Sequence, residues 1–571
     1  MKRQLVILLP LLLAFCIGSR TNTNSTDSTN PLVTLETQAV KIDESSLGFN
    51  ANNHDLKKII YVDGNNNKAS DENAGTKNAP LKTLHAAAIR AVDNKRKNVS
   101  TKIIIRPGVY REQLLIPTNI NDLKNETPIV FEASEKGKVI VSGSDVWGDW
   151  KLQQVNDAKV YAHEWPYTWG MASVPQSIPS NYQTSFKEKP LIKRREMIFV
   201  NGVLMKQLSS LDSLTTGSFF VDEEKKMVFL SPPAGVDLMN AKVEVAVRPS
   251  VLFADFAKNV SFRGLIFEHA NTSLNPDYYN PGNGYQNTNR INNSSQILFE
   301  DVQFVWNNTN GVALISSSHI TLRRTVANHN GLGGMTGFKL KNILFEDTET
   351  SENNWRGDMS DYRDWGVAGL KFLAVHTGVF RRHVARNNLT RGFWLDFDNS
   401  DIVIDSCNFT ANKADGIFLE ANSGPIKMIE TKISGNEGPG LLTSAAHNLT
   451  LEKNIFINNA GPQIFASGDP GGRMVDNWET KESLRFTNRN WTLHDNTLVN
   501  LKTQKPLFRF APQLTSNDWK AFSDSFSSDS NVWFSINTSK SFVVRNSSMN
   551  FKEWQSLTSK EINSHFTQPP F

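Results

Sequence analysis

Residues 392–425, GFWLDFDNSDIVIDSCNFTANKADGIFLEANSGP, carry one short pattern twice. Gly-Phe-Trp-Leu-Asp ends at Asp396, and Gly-Ile-Phe-Leu-Glu ends 24 residues later at Glu420. Each copy is a run of large apolar residues, which favours a β-strand. The stretch therefore predicts two equivalent strands, each of which ends on a carboxylate.

The same unit recurs on both sides of this stretch. Nine segments such as IVIDSCNF and IKMIETKI have an apolar third residue, and five of the eight steps between these residues are 23 or 24. Units this short cannot bury a face alone, so they must stack on one another. The Leu-x-x-Leu-x-Leu pattern of leucine-rich repeats is absent, and the repeat predicts an all-β fold, a right-handed parallel β-helix with one coil per repeat. We call the nine residues the anchor column: Phe262, Phe299, Leu322, Phe345, Phe380, Ile404, Met428, Leu451 and Leu493.

Charges alternate along the repeat and support this register. The residue that follows each member of the anchor column changes sign over six successive coils: Arg263, Glu300, Arg323, Glu346, Arg381 and Asp405. Opposite charges that stack on neighbouring strands stabilise a sheet. We interpret these charges as structural.

The register places Asp396, Glu420 and Ser444 in the same position of three successive coils. Strand alternation turns Trp394 and Phe418 outward with the acids, and we assign both rings and Ser444 as candidate substrate contacts. Stacked like charges are unfavourable, so the pair favours a catalytic role over two solvated surface acids, which is the alternative. Neighbouring strands lie about 4.8 Å apart, and retaining glycosidases hold their two carboxyl groups about 5–5.5 Å apart.

Three segments resemble the core of glycoside hydrolase family 120, which contains β-xylosidases: AGLKFLAVH (368–376), GFWLD (392–396) and FLEANSGP (418–425). The resemblance covers roughly residues 366–426. It implies Asp396 as the nucleophile, Glu420 as the acid/base and Lys371 as a substrate contact. Phe397 follows the first acid where the family has Trp, and Ser423 stands where the family usually has His.

The N-terminus predicts export. Residues 1–16, MKRQLVILLPLLLAFC, have the basic start and apolar run of a signal peptide, and a polar linker follows over 17–56. Cys16 after the apolar run resembles a bacterial lipoprotein signal and is a candidate lipid anchor. Phe15 stands where that signal has a small residue, so export without a lipid also stays open. We expect a bacterial protein that is periplasmic, anchored in the outer membrane or extracellular.

Composition excludes several classes of protein. The 571 residues carry a net charge of +4, which gives no basic face for a nucleic-acid partner. The two cysteines cannot form a disulfide framework, and no CxxC or HExxH motif is present. We therefore predict no cofactor and no metal site.

The repeat spacing divides the chain into four folded parts. Residues 57–146 contain an amphipathic segment (Leu81, Leu84, Ala88) that we expect to cap the solenoid, followed by the first coils. Residues 147–250 lose the spacing and predict a β-rich antiparallel insertion. Residues 251–507 form the main β-helix, and residues 508–571 are predicted to pack along its outside.

Three insertions, at 275–285, 351–366 and 467–480, are predicted to wall a cleft on the face that bears the acids. The second supplies four candidate substrate contacts, because aromatic rings pack on sugar C–H faces while Arg and Asp bind hydroxyls: Trp355, Arg356, Asp364 and Trp365. The alternative is that Arg356 and Asp364 pair with each other to hold the loop. We assign His376 and His383 to the scaffold.

Three functions follow from these patterns. The first is a secreted glycoside hydrolase that cleaves plant- or algal-type polysaccharides or oligosaccharides by a retaining two-carboxylate mechanism. The second is a polysaccharide lyase acting on uronate-containing glycans, with Lys371 as base and Arg356 or Arg363 neutralising the uronate. The third is a non-catalytic glycan-binding β-helix protein, in which the acids are incidental.

Overall fold

The computed structural model describes residues 40, 42–49, 56–155, 158–174, 178, 180–274, 289–363 and 366–567. The predicted signal peptide with Cys16, the 275–285 insertion, Asp364 and Trp365 lie outside these residues, so the expectations about them stay predictions. None of the helices within the described ranges has both the length and the apolar character needed to cross a membrane.

The chain winds into coils of three short strands, and each strand pairs in parallel with its equivalent in the next coil. This architecture is a parallel β-helix, as the repeat predicted. The anchor face contains the anchor column. Its separate strands are Lys58–Val62, Thr101–Ile105, Ile129–Ala133, Lys258–Arg263, Ser295–Glu300, Ser318–Arg323, Ser400–Asp405, Ile426–Ile429, Arg489–His494 and Ser527–Asp529.

The acid face contains Asp396 and Glu420. Its separate strands are Leu114–Ile116, Leu252–Asp255, Arg290–Asn292, Asn310–Ile315, Arg391–Asp396, Ile417–Asn422, Ile464–Ser467, Phe508–Phe510, Phe542–Val544 and the antiparallel Ser547–Met549. Three long strands run from the acid face into the anchor face, namely Gly333–Glu346, Ala368–Arg381 and Leu441–Glu452.

The second face joins the anchor face of one coil to the acid face of the next. Its strands are Gly108–Tyr110, Val139–Ser142, Leu265–Glu268, Gln303–Val305, Val384–Arg386, Asn408–Thr410, Lys432–Ser434, Ile455–Ile457, Thr497–Asn500, Val532–Ser535 and His565–Phe566. Single bridges through Val326 and Glu349 connect the lower strands to the upper ones.

The anchor column is confirmed residue by residue. Each of its nine members is the direct register partner of the next, from Phe262 to Leu493, and all are buried in the main core. The neighbouring charges pair as expected, with Arg323 between Glu300 and Glu346 at 3.7 and 3.1 Å. Exposed ion pairs contribute little singly, so burial of the column is the larger source of stability.

An asparagine ladder runs through the corner between the second face and the acid face. From Asn330 onward, each side-chain oxygen accepts hydrogen bonds from the backbone N–H and the side-chain amide of the Asn one coil earlier, at 2.8 to 3.1 Å. The ladder satisfies buried donors that the corner would otherwise leave unpaired. Its members are Asn307, Asn330, Asn353, Asn388, Asn412, Asn436 and Asn459.

We expect Asn412→Ala to destabilise the protein by about 1–3 kcal/mol, because it leaves the buried donors of Asn388 without their acceptor. Denaturant unfolding followed by circular dichroism measures this loss. The matched control is Lys413→Ala, which changes the exposed neighbour and should stay within about 0.5 kcal/mol of the parent. Equal losses in the two variants would contradict a structural role for the ladder.

The helix Leu84–Arg96 closes the N-terminal end of the solenoid. Thr83 caps the helix by accepting from the N–H of Ala86, and Leu84, Ala88 and Val92 are buried against the first coils. A bare end coil would expose apolar side chains and unpaired backbone, so the cap is needed for solubility.

The β-rich insertion follows the second-face strand Val139–Ser142. The solenoid resumes at Leu252–Asp255, which pairs with Leu114–Ile116 on the acid face. The insertion consists of two small, mainly antiparallel sheets around a separate core that contains Trp165 and Phe219. The insertion comprises Ser144–Val146, Lys151–Val155, Ala158–Glu164, the helix Ser180–Glu188, Ile198–Val200, Val203–Leu204, Lys206–Gln207, Ser218–Asp222, Met227–Ser231 and Val243–Ala246.

The prediction that residues 508–571 pack along the outside is wrong. Strands from this segment continue all three faces, and Phe508–Phe510 pairs with Ile464–Ser467. The helices Ser516–Ser525 and Phe551–Thr558 close the core with Phe522 and Trp554, which are both buried. These helices lie between the strands, so they conceal the 23–24-residue spacing.

Short helical turns and one docked segment complete the chain. Leu47, at the end of the predicted linker, packs on Leu344 and Val379 of the anchor face, so this part of the linker is not free. The other short elements are the helix Trp355–Asp358 and the 3-10 turns Glu44–Ser46, Ile120–Lys124, Pro190–Lys193, Leu211–Ser213, Leu238–Asn240 and Thr538–Lys540.

Candidate active site

Asp396 and Glu420 are direct register partners on neighbouring strands of the acid face. Ser444 continues the column one coil further, where it pairs with Glu420 and is half-buried. Adjacent parallel strands hold paired residues about 4.8 Å apart. The two carboxyl groups therefore share one small patch, in which 15 % of the Asp396 side chain and 20 % of the Glu420 side chain are exposed.

Lys371 lies one coil before Asp396 and forms the electrostatic floor of this patch. Its ammonium is 2.9 Å from Asp396 Oδ2 and 3.4 Å from the centre of the Trp394 ring. The ammonium thus forms an ion pair with Asp396 in the floor of the patch. Lys371 therefore lies next to Asp396, and its role as a substrate contact stays a prediction.

Trp394 and Phe418 point away from the main core as predicted, but they are not open stacking platforms. Only 3 % of Trp394 and 7 % of Phe418 are exposed. The two rings pack together with centroids 5.1 Å apart, and the Arg391 guanidinium lies 4.8 and 5.1 Å from them. Cations thus occupy ring faces that a sugar would use, so the rings support the floor instead of presenting a free surface.

Arg473 forms an ion pair with Glu420 from the opposite side. Burial, and then the negative charge of Asp396, raise the pKa of Glu420 above its ordinary value, against the opposing effects of Arg473 and Lys371. The two acids are therefore unequal. Asp396 has a lysine partner in the floor of the patch, whereas the raised pKa of Glu420 favours its protonated form.

Arg473 belongs to a β-hairpin whose first strand lies in the 467–480 insertion. Its strands, Arg473–Asp476 and Ser483–Phe486, pair in antiparallel fashion over the acid face. Val475 and Phe486 pack on Ala421, directly after the second acid. This insertion therefore walls the acid pair as predicted.

A polar cluster holds the tip of the hairpin. His376 lies between Asp398 and Glu479, at 3.1 and 2.8 Å, and Asp398 also accepts the N–H of Trp478 at 2.9 Å. Burial alone would lower the pKa of His376, but its hydrogen bonds to the two carboxylates raise it. His376 thus positions the hairpin, whereas His383 is enclosed between Thr348 and Thr350 in the solenoid.

The 351–366 insertion does not bring its described candidates to the acids. Arg356 is buried and binds Asn308, Gln207 and the carbonyl of Glu196, so it joins the solenoid to the β-rich insertion. This corrects its assignment as a substrate contact: all its polar contacts are structural, because an unpaired buried guanidinium would be costly.

Trp355 also lies away from the acid pair. It donates to the carbonyl of His329 at 2.9 Å and lines a separate groove with Trp306, at the corner between the second face and the acid face. Its assignment as a contact of a sugar at Asp396 is therefore corrected as well.

The sequence patterns missed Arg473, Asp398, Trp478 and Glu479. The repeat locates the insertion that carries Arg473, but it cannot show which of its side chains reaches Glu420, because the hairpin folds across several coils. The one available signal was the long step between Leu451 and Leu493, which marks an insertion above the acid pair.

The fold and its repeats define the chain as a right-handed parallel β-helix protein. The sequence model of a family described as "Right handed beta helix region" matches residues 290–456. A solved structure described as "The complex structure of XylC with xylose" superposes with a TM-score of 0.60 over 86 % of each chain, at 14 % identity. At this identity the superposition shows a shared fold alone.

Two further comparisons are weaker. A structure described as "Glycoside hydrolase" covers 89 % of this chain and 96 % of its own, at 11 % identity and a TM-score of 0.43. Among curated proteins, "Uncharacterized protein YwoF" of Bacillus subtilis (strain 168) is 34 % identical over 96 residues. That match spans only 17 % of this chain and 18 % of the relative.

Proposed function

We propose that the protein is a retaining glycoside hydrolase with Asp396 as nucleophile and Glu420 as acid/base. The observation that carries the proposal is the direct register pairing of the two acids on adjacent coils. The strand spacing of about 4.8 Å that this pairing implies suits a retaining mechanism, whereas an inverting enzyme holds its carboxyl groups about 6.5–9.5 Å apart to admit a water molecule.

The environments of the acids support these roles. Asp396 Oδ2 lies 2.9 Å from the Lys371 ammonium, and the nucleophile of a retaining mechanism is a carboxylate. Glu420 has a raised pKa, as suits a group that must hold a proton at the start of the reaction.

The reaction proceeds in two balanced steps. An Asp396 oxygen bonds to the anomeric carbon while the bond to the leaving oxygen breaks, and Glu420 gives that oxygen its proton. Glu420 then takes a proton from a water molecule as the water oxygen displaces Asp396.

A xylose-like sugar is the proposed substrate unit. The segments around Lys371, Asp396 and Glu420 resemble family 120 β-xylosidases, and the structure with a TM-score of 0.60 is described as a complex with xylose. We propose plant- or algal-type glycans as the source. The signal pattern of residues 1–16 supports action outside the cytoplasm, with Cys16 as a candidate lipid anchor.

The lyase alternative has less support. Lys371, its candidate base, is ion-paired with Asp396, while Arg356 is buried elsewhere and Arg363 pairs with Asp358. An ammonium held on Asp396 in this way is not directed at a substrate proton.

The experiment is a screen of purified protein on aryl glycosides and xylo-oligosaccharides, with proton NMR of the first product anomer. We expect the β-xyloside to be hydrolysed with retained configuration. Inverted product would overturn the mechanism. A 4,5-unsaturated uronate product would favour the lyase, and inertness on a broad glycan panel would favour a binding protein.

A further inference from the structure

Arg473 occupies the exposed side of the acid pair. Of its side chain 29 % is exposed, whereas Lys371 and Arg391 are nearly buried and pair with Asp396 and Asp415. Arg473 is thus the cation that a molecule entering from solvent meets next to Glu420.

The ion pair with Arg473 works against the burial and the Asp396 charge that favour protonation of Glu420. Glu420 must be protonated to act as an acid, and a guanidinium partner favours its ionised form. Protonation of Glu420 would leave Arg473 without its anion in a partly buried place, which is unfavourable. A replacement anion would remove this conflict.

We propose that Arg473 forms a subsite for a carboxylate on the leaving-group side of the substrate. This inference rests on the proposed function and specifies its substrate class: glycans in which the leaving sugar is a uronic acid. The substrate carboxylate pairs with the guanidinium, and Glu420 takes up one proton from solvent before it donates that proton to the glycosidic oxygen.

The chemistry of the side chain favours a carboxylate ligand. A guanidinium offers a planar fork that binds a carboxylate through two parallel hydrogen bonds. The side chain can turn from Glu420 to a ligand without unfolding the hairpin, because Val475 and Phe486 hold the hairpin on Ala421 independently of Arg473.

The same contact predicts a change in the pH profile. The groups that face Glu420 are Asp396 on the preceding coil, Lys371 one coil before that, Ser444 on the next coil and Arg473 on the hairpin, where Asp469 also acts on Arg473. Arg473 lowers the pKa of Glu420, so its removal should move the alkaline limb of kcat/KM to higher pH.

The test compares two nearly isosteric substrates, 3-carboxyphenyl and 3-carbamoylphenyl β-xyloside. We expect the parent protein to prefer the carboxylate by about 10- to 100-fold in kcat/KM, the scale of a charge-assisted pair. Arg473→Gln should reduce the ratio to about one and shift the alkaline limb upward, and Arg473→Lys should keep part of the preference. The matched control is Arg485→Gln in the same hairpin. The Arg485 side chain donates to the carbonyl of Gly472, so this variant should keep the preference for the carboxylate.

A binding measurement separates this inference from the proposed function. Calorimetry of methyl β-glucuronide in two buffers of different ionisation enthalpy should show proton uptake in the parent and none in Arg473→Gln, with methyl β-glucoside as the neutral reference. If binding of the glucuronide takes up a proton in the parent and none in Arg473→Gln, but no xyloside is cleaved, the subsite stands and the proposed function fails. If xylosides are cleaved with retention but the ratio is the same in the parent and in Arg473→Gln, the subsite is wrong.

Discussion

An Asp396→Asn variant should lose the proposed hydrolase activity by roughly 10⁴-fold, the scale seen when an essential catalytic group is removed. The amide is nearly isosteric but cannot attack the anomeric carbon, so no glycosyl-enzyme forms and the first step is lost for every leaving group. Steady-state hydrolysis of aryl β-xylosides measures the loss, and mass spectrometry after rapid quenching should find no covalent adduct.

The matched control is Asp405→Asn on the same coil. Asp405 faces outward from the anchor face and pairs with Arg381 at 3.0 Å, so its loss should cost some stability but little activity. A smaller Asp396→Gly variant should use azide as an external nucleophile and release a glycosyl azide of inverted configuration. Near-normal turnover by Asp396→Asn would refute the nucleophile assignment.

The Glu420→Gln variant should show a loss that depends on the leaving group. With a poor leaving group, which needs a proton, we expect roughly a 10³-fold fall in kcat/KM. With an activated dinitrophenyl leaving group the first step should survive, and the glycosyl-enzyme should accumulate because no base activates water. A series of aryl xylosides of graded leaving-group pKa measures this difference.

Azide distinguishes the two acids by stereochemistry. A Glu420→Ala variant should be rescued by azide with retained configuration, because the covalent Asp396 intermediate still forms. Glu437→Gln is the matched control, since Glu437 is exposed and pairs with Lys413 on the surface. Equal losses for good and poor leaving groups in Glu420→Gln would argue against proton donation by this residue.

The solenoid and the acid pair were predictable because both depend on contacts between consecutive coils. The spacing from Phe380 to Ile404 fixes the register, and the register fixes which residue stands beside Asp396. The asparagine ladder was visible only as a high Asn content, because an Asn at a corner and an Asn in a loop look alike in a sequence.

The contacts across long insertions were not predictable in this way. The Arg356 side chain reaches Gln207 and the Glu196 carbonyl in the β-rich insertion, and Arg473 reaches Glu420 from a hairpin that the coil spacing does not describe. Such contacts are set by how a separate unit docks on the solenoid. The C-terminal coils were missed for a related reason, since the helix around Phe522 lies between their strands and breaks the period.

Under the proposed mechanism, the backbone pitch of the solenoid sets the spacing on which the stereochemical outcome depends. Because Asp396 and Glu420 lie on successive coils, their spacing is set by main-chain hydrogen bonds and not by the packing of a flexible loop. The spacing of positions on adjacent coils, about 4.8 Å, is close to the carboxyl separation of retaining enzymes. The spacing of positions two coils apart, about 9.6 Å, lies at the upper end of the inverting range. In a scaffold of this kind the spacing of two backbone positions changes in whole coils, so we expect a change between the two mechanisms to need an acid on a different coil.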